Sequence, residues 1–257
     1  DDVRMPLQAR ASLDLARFLL RQRSPDSVAL ALSHAETLTA VHPESAAAWA
    51  LLAEVRHAER CFMDRDFVRL HEDALAAARR AIELDPDEAS AGVVEASIVG
   101  QFGCDPEAGI RRLRKLLRRV PHHSDARCSL AALMQYVGAF EDALAELSIA
   151  RAHDPLSPFP RAHAANVLAY ARRHDEARDE WKLASAAGAP RLTTEVLRGM
   201  NELWAGQHAR ARAHFESAAA GFPTSAMPAV CGAMVDAASG DWKRANATIA
   251  DCVARFP

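Results

Sequence analysis

The chain has few of the features that mark several large protein classes. No apolar run in its 257 residues approaches the ~18 positions of a membrane-spanning helix, and no signal peptide is visible. Its five cysteines, Cys61, Cys104, Cys128, Cys231 and Cys252, are odd in number and widely spread, which argues against a disulfide framework. Most are expected at helix-packing positions as small apolar residues, which suggests a reducing compartment, the cytoplasm. There is no glycine-rich phosphate loop, no nucleophile elbow and no zinc-protease motif, so no enzyme and no cofactor are expected. Charge is nearly balanced, 31 basic against 34 acidic residues, and so does not mark the whole surface for nucleic acid.

What the chain does have is order. Half of its residues are apolar, largely Ala and Leu, and prolines recur at Pro86, Pro121, Pro155, Pro190, Pro223 and Pro257. The steps are 35, 34, 35, 33 and 34 residues, with Pro43 standing 43 residues before Pro86. A fixed period near 34 is the sign of a helical repeat array, in which each unit stacks on its neighbours.

The prolines set a phase. Twelve residues before most of them lies a small residue: Ala31, Ala74, Gly109, Ala143, Ala211 and Ala245, with Ala177 thirteen before Pro190. Four residues later comes a larger apolar one in most units: Leu113, Leu147, Trp181, Phe215 and Ile249. This spacing places both on one face of a second helix, B, which the proline ends. The small residue admits the partner helix and the large one fills the space beside it. A first helix, A, precedes each B helix, and in several units a glycine with positive φ is expected to stop it: Gly138, Gly206 and Gly240.

This pattern resembles the tetratricopeptide repeat over nearly the whole chain. The resemblance implies an all-α fold, a right-handed superhelical solenoid of about seven helix-turn-helix units. The units are expected at about 10–43, 44–86, 87–121, 122–155, 156–190, 191–223 and 224–257, with an insertion near 59–68 in the second. Residues 1–257 then form a single solenoid. Because the chain opens Asp1-Asp2-Val3 and stops at the end of a unit, it is expected to be part of a longer protein.

Three segments are similar to a narrower group: Ala16–Asp26 leading on to His42–Ala53, Ala77–Pro86, and His153–Pro158 with the Arg173–Ala177 turn. They resemble the repeat region that follows the DNA-binding domain in bacterial OmpR-type winged-helix regulators, HilA-like invasion regulators among them. A related region follows the catalytic domain of some adenylate cyclases. The resemblance implies a regulatory region attached to an effector domain. The Lys and Asn clamp of the eukaryotic chaperone-binding members is not carried over, since the matching positions are mostly Ala, Val and Met, with Asn166 alone suitable.

Two surfaces are candidates for contact. Phe102, Tyr136, Tyr170 and Trp204 stand 34 residues apart, late in successive A helices. In this repeat family the A helices line a concave groove, so these aromatics are expected on its floor with Phe159, Asn166 and Met200. Such a groove suits an amphipathic helix, a peptide or an apolar ligand. The competing reading packs the aromatics on the next repeat. The second surface is a basic run, Arg111, Arg112, Arg114, Lys115, Arg118 and Arg119. It reads either as a solvated face whose Arg stems cover apolar surface, or as a docking patch for an acidic partner or for DNA beside a tethered domain. His57, Cys61 and His71 lack further ligands with convergent geometry, so no metal is expected.

The expected function is therefore non-catalytic: an interaction or sensory region of a bacterial transcription regulator. A protein or peptide partner binds the groove, and this region itself contacts neither nucleic acid nor membrane. A self-association module forming homo-oligomers, a small-molecule sensor, and a region attached to a cyclase remain as alternatives.

Overall fold

A computed structural model describes residues 5–59, 67–223 and 225–255. Among them are fourteen α-helices and no strand, as the repeat pattern predicts. The chain divides between Val137 and Gly138 into two compact units. This boundary falls inside the fourth predicted repeat, between its two helices.

The first unit contains three helix pairs and a seventh helix: α1 (Leu7–Gln22), α2 (Pro25–Val41), α3 (Ala46–Glu59), α4 (Phe67–Leu84), α5 (Ala89–Gln101), α6 (Pro106–Arg119) and α7 (Ser124–Met134). A 3-10 turn, Gln135–Val137, closes it. The second unit opens with α8 (Phe140–His153) and continues with three pairs: α9 (Phe159–Tyr170), α10 (His174–Ala186), α11 (Arg191–Trp204), α12 (His208–Gly221), α13 (Met227–Ala238) and α14 (Trp242–Arg255). Within each unit a helix packs on its sequence neighbours, and the A helices also touch in file: α1 on α3 on α5 on α7, and α9 on α11 on α13. The predicted insertion lies largely outside the described residues, between α3 and α4.

The predicted small residues do what their size allows. Ala31, Ala74, Ala143, Ala177 and Ala211 have no exposed surface, and Ala245 has 5 %. Gly109 is tighter still: a Cβ there would lie 2.5 Å from Leu133 Cδ1 and 2.7 Å from the Ala96 carbonyl oxygen. Leu113, Leu147, Trp181 and Phe215 are buried beside them. Ile249 departs from the expectation, being 39 % exposed.

At five junctions the proline stands second in a tight turn. The backbone N–H three residues after the helix-ending residue donates to that residue's carbonyl: Ser45 to His42 (3.0 Å), Glu88 to Asp85 (3.1 Å), His123 to Val120 (3.1 Å), Ser157 to Asp154 (3.3 Å) and Ser225 to Phe222 (3.1 Å). Proline suits the second position of such a turn because its φ is already set. Pro190 is the exception to the predicted role. Gly188, at φ 88°, ends α10, and Pro190 instead caps the start of α11.

The turn from A to B has its own register. Cys104, Gly138, Arg172, Gly206 and Gly240 all have positive φ, and they stand 34 residues apart. The glycines match the expectation. Cys104 (φ 52°) and Arg172 (φ 63°) hold the same backbone shape with a side chain attached, against the steric preference of that region.

Candidate functional site

The second unit gathers the predicted aromatic positions most closely. Tyr170 ends α9 and Trp204 ends α11, and their rings meet edge to face with centroids 5.0 Å apart and planes at 71°. That is the favourable arrangement for two aromatic quadrupoles. Trp204 also packs on the cluster of Leu168, Ala169 and Ala177, whereas Tyr170 remains 37 % exposed. Arg172 Nη1 donates to the Trp204 carbonyl at 3.3 Å, tying the turn after α9 to the end of α11.

One helical turn earlier on the same faces stand Asn166 on α9 and Met200 on α11, both half-buried. Their 34-residue successor is Met234 on α13, 42 % exposed, with Met227 and Val230 also exposed on that helix. Phe159 does not join this group. It begins α9, half-buried, eleven residues from Tyr170, which is ~16 Å along a helix.

In the first unit the two aromatics differ from each other. Phe102 follows α5 and turns inward, its ring centroid 3.6 Å from that of the buried His71 and its side chain against the α3–α5 core. This is the packing alternative. Tyr136 lies in the 3-10 turn and is 50 % exposed.

The basic run lies on the exposed face of α6, opposite buried Ile110, Leu113 and Leu117. Arg111 pairs with Glu107 at 3.8 Å and Arg112 with Glu95 at 3.9 Å. Arg119 pairs with Asp87 and also donates to the Pro86 carbonyl. Arg114, Lys115 and Arg118 make no ion pair among the described residues.

Sequence reading missed the buried ion pairs of the second unit. Arg178 on α10 grips Glu202 on α11, Nε to Oε1 at 2.7 Å and Nη2 to Oε2 at 3.2 Å. Arg212 on α12 reaches Asp236 on α13 at 2.5 Å. Glu202 and Asp236 are only 4 % and 3 % exposed. Both pairs were findable: 34 residues before Arg178 and Glu202 stand Leu144 and Leu168, which pack together in the same place.

Chemistry of other kinds finds little footing. Burial pushes the Cys231 thiol up to about 11, which keeps it protonated and unreactive at neutral pH. No group of three metal-ligating side chains converges among the described residues. His57 and His71 sit with ring centroids 6.2 Å apart, and Cys61 is outside the described residues. Among the described residues no helix is long and apolar enough to cross a membrane.

No protein-family model matches the sequence, and no curated protein is significantly similar to it. Solved structures are similar in fold. A tetratricopeptide repeat protein from Parabacteroides merdae ATCC 43184 aligns over 97 % of this chain and 94 % of its own, with 15 % identity and a TM-score of 0.63. PilW, a widely conserved type IV pilus biogenesis factor, aligns over 87 % of this chain and 98 % of its own, with 18 % identity and a TM-score of 0.57. The Cut9–Hcn1 hetero-tetramer of the APC/C contains a chain similar over 90 % of this one and 46 % of its own, with 15 % identity and a TM-score of 0.62. The fold is that of tetratricopeptide repeat proteins. The resemblance seen in the repeat pattern is thus met by the helices themselves.

Proposed function

We propose that this chain is a non-catalytic protein-interaction region, and that the A-helix face of its second unit binds a peptide segment of a partner protein. The observation that carries this reading is the Tyr170–Trp204 pair. One edge of it is open to solvent, and Asn166 and Met200 lie a turn away on the same helices. Exposed aromatic and methionine side chains favour an apolar or amphipathic segment, because Met adapts its shape and aromatic rings bury large areas. Asn166 would fix the register of such a segment by hydrogen bonding to its backbone. The Cut9–Hcn1 assembly, a hetero-tetramer of similar fold, supports a protein partner.

The test is a displayed library of amphipathic peptides selected on the wild-type chain. Selected peptides are expected to lose at least tenfold in affinity for Tyr170→Ala, whose exposed ring can be removed with the variant's melting temperature near wild type. Equal binding by both proteins would overturn the reading.

The wider role we propose, regulation of an attached effector in a bacterial transcription regulator of the cytoplasm, rests on the three segments that resemble OmpR-type regulators. It stands or falls with the domain encoded beside this region.

A second contact is favoured by Arg114, Lys115 and Arg118, cations without ion pairs among the described residues, on one exposed face of α6. An acidic protein partner docking there would be released by salt. Reversing Arg114 and Arg118 to Glu should abolish that salt-sensitive binding and leave peptide binding at Tyr170 intact.

A further inference from the structure

The repeat requires a bulky apolar side chain four residues after the small one in helix B. In the second unit Leu147, Trp181 and Phe215 fill this place, all buried. Leu147 and Phe215 do so with hydrocarbon alone. Trp181 brings an N–H as well. Its side chain is 1 % exposed, and its Nε1 has no hydrogen-bond acceptor among the described residues.

A cavity of about 60 Å³ between α10 and α11 counts this tryptophan among its lining residues. Its wall is Arg178, Trp181 and Lys182 from α10, and Arg198, Asn201 and Glu202 from α11. The wall's own side-chain acceptors each already have a donor. Both Glu202 oxygens accept from Arg178. Asn201 Oδ1 is bonded to His174 Nδ1 at 2.9 Å, and its amide nitrogen donates to the His174 carbonyl.

What remains are donors. Arg198 reaches Glu195 through one Nη at 3.3 Å, and Lys182 holds only the surface carboxylate of Asp179. The three cations of the wall each have a carboxylate partner: Arg178 has Glu202 and Asp175, Arg198 has Glu195, and Lys182 has Asp179. Asp175 and Asp179, 94 % and 72 % exposed, are weakly coupled through water, as is the exposed Lys182. What sets the cavity apart is a surplus of N–H donors: the unpartnered Trp181 Nε1 beside Arg198 and Lys182, each of which spends one N–H on its carboxylate. Its volume is more than one water needs and admits a carboxylate group. Glu202 in the wall disfavours a doubly charged phosphate.

We propose that this cavity is a carboxylate site, with the Trp181 indole N–H donating to one oxygen and Arg198 and Lys182 to the other. The carboxylate comes either from a peptide chain or from a free small acid. This inference does not rest on the Tyr170–Trp204 reading, and either can fail alone.

The test uses the full chain with ¹⁵N-labelled tryptophan. Four indole signals arise, from Trp49, Trp181, Trp204 and Trp242, and Trp181→Phe identifies the second. Sodium acetate is titrated against sodium chloride at constant ionic strength. The Trp181 signal alone is expected to move and to saturate. Arg198→Gln and Lys182→Met should each weaken the response at least fivefold. Lys182 is 68 % exposed, so its replacement leaves the fold in place. A tetrapeptide with a free carboxyl terminus that acts at lower concentration than acetate, while its amide is inert, assigns the site to peptides. Equal potency of the tetrapeptide and acetate assigns it to small acids. No movement of the Trp181 signal, or the same movement with chloride, overturns the proposal and leaves a cavity that holds water only.

Discussion

Gly199 and the Phe215 ring share one space between α11 and α12: a Cβ on Gly199 would lie 2.4 Å from Phe215 Cε1. Real Cβ contacts are not that short, so Gly199→Ala must displace the ring or part the helices. It is expected to destabilise by ~1–3 kcal/mol in urea unfolding. Adding Phe215→Leu should recover part of the loss, as a double-mutant cycle would show. Purely additive effects would mean that the two residues do not compete for space.

Arg178 and Glu202 form a pair that depends on both members. Arg178→Ala strands a nearly buried carboxylate and is expected to cost ~3–5 kcal/mol. Replacing both with Leu copies Leu144 and Leu168, and should be close to neutral. If the double variant unfolds as easily as the single one, the site differs from its counterpart 34 residues earlier in more than charge.

Glu54 on α3 bears on how stability changes with pH. Burial raises its pKa; the Ser90 hydroxyl and Arg17 oppose that rise, and Asp125 and Glu88 reinforce it. The folded chain therefore holds this proton to higher pH than the unfolded chain does. Its stabilising contribution is complete below the ordinary carboxylate range and is lost as pH rises through the folded value. Glu54→Gln, neutral throughout, is expected to be more stable than wild type at neutral pH, and the gap should close on acidification. A gap that does not change with pH would show that Glu54 titrates normally.

Cys104 occupies the left-handed backbone position that Gly138, Gly206 and Gly240 fill elsewhere. Its side chain is exposed, with only a weak thiol contact at 3.9 Å to the Phe102 carbonyl. Cys104→Gly is expected to raise stability by ~0.5–1 kcal/mol, since strain at φ 52° is relieved. Arg172→Gly is the contrasting case, because it also removes the bond to the Trp204 carbonyl. A loss of stability in Cys104→Gly would place the strain elsewhere.

The fold was legible because repetition turns weak local signals into a phase. Ala143, Ala177 and Ala211 can each be read as buried once the step is known, and each is. The phase could not show the job of a particular proline. Pro190 keeps time with the others, yet Gly188 ends its helix first. Nor did it separate floor from filler among the aromatics. Phe102 and Tyr170 hold equivalent positions, and His71 on α4 draws Phe102 inward. The candidate surface depends on such neighbours, which one periodic mark cannot encode. Trp181 looked like packing alone, and only its unaccompanied N–H and the cavity beside it set it apart.

The exchange of Leu144 and Leu168 for Arg178 and Glu202 gives the α8–α9 and α10–α11 contacts different chemistry. A chain of near-identical repeats can slip by one repeat while it folds. Here such a slip would place Arg178 against Leu168, or Leu144 against Glu202, and bury a charge opposite hydrocarbon. The ion pairs add little net stability in their own places. What the change from leucines to ions adds is a cost for mispairing across that boundary.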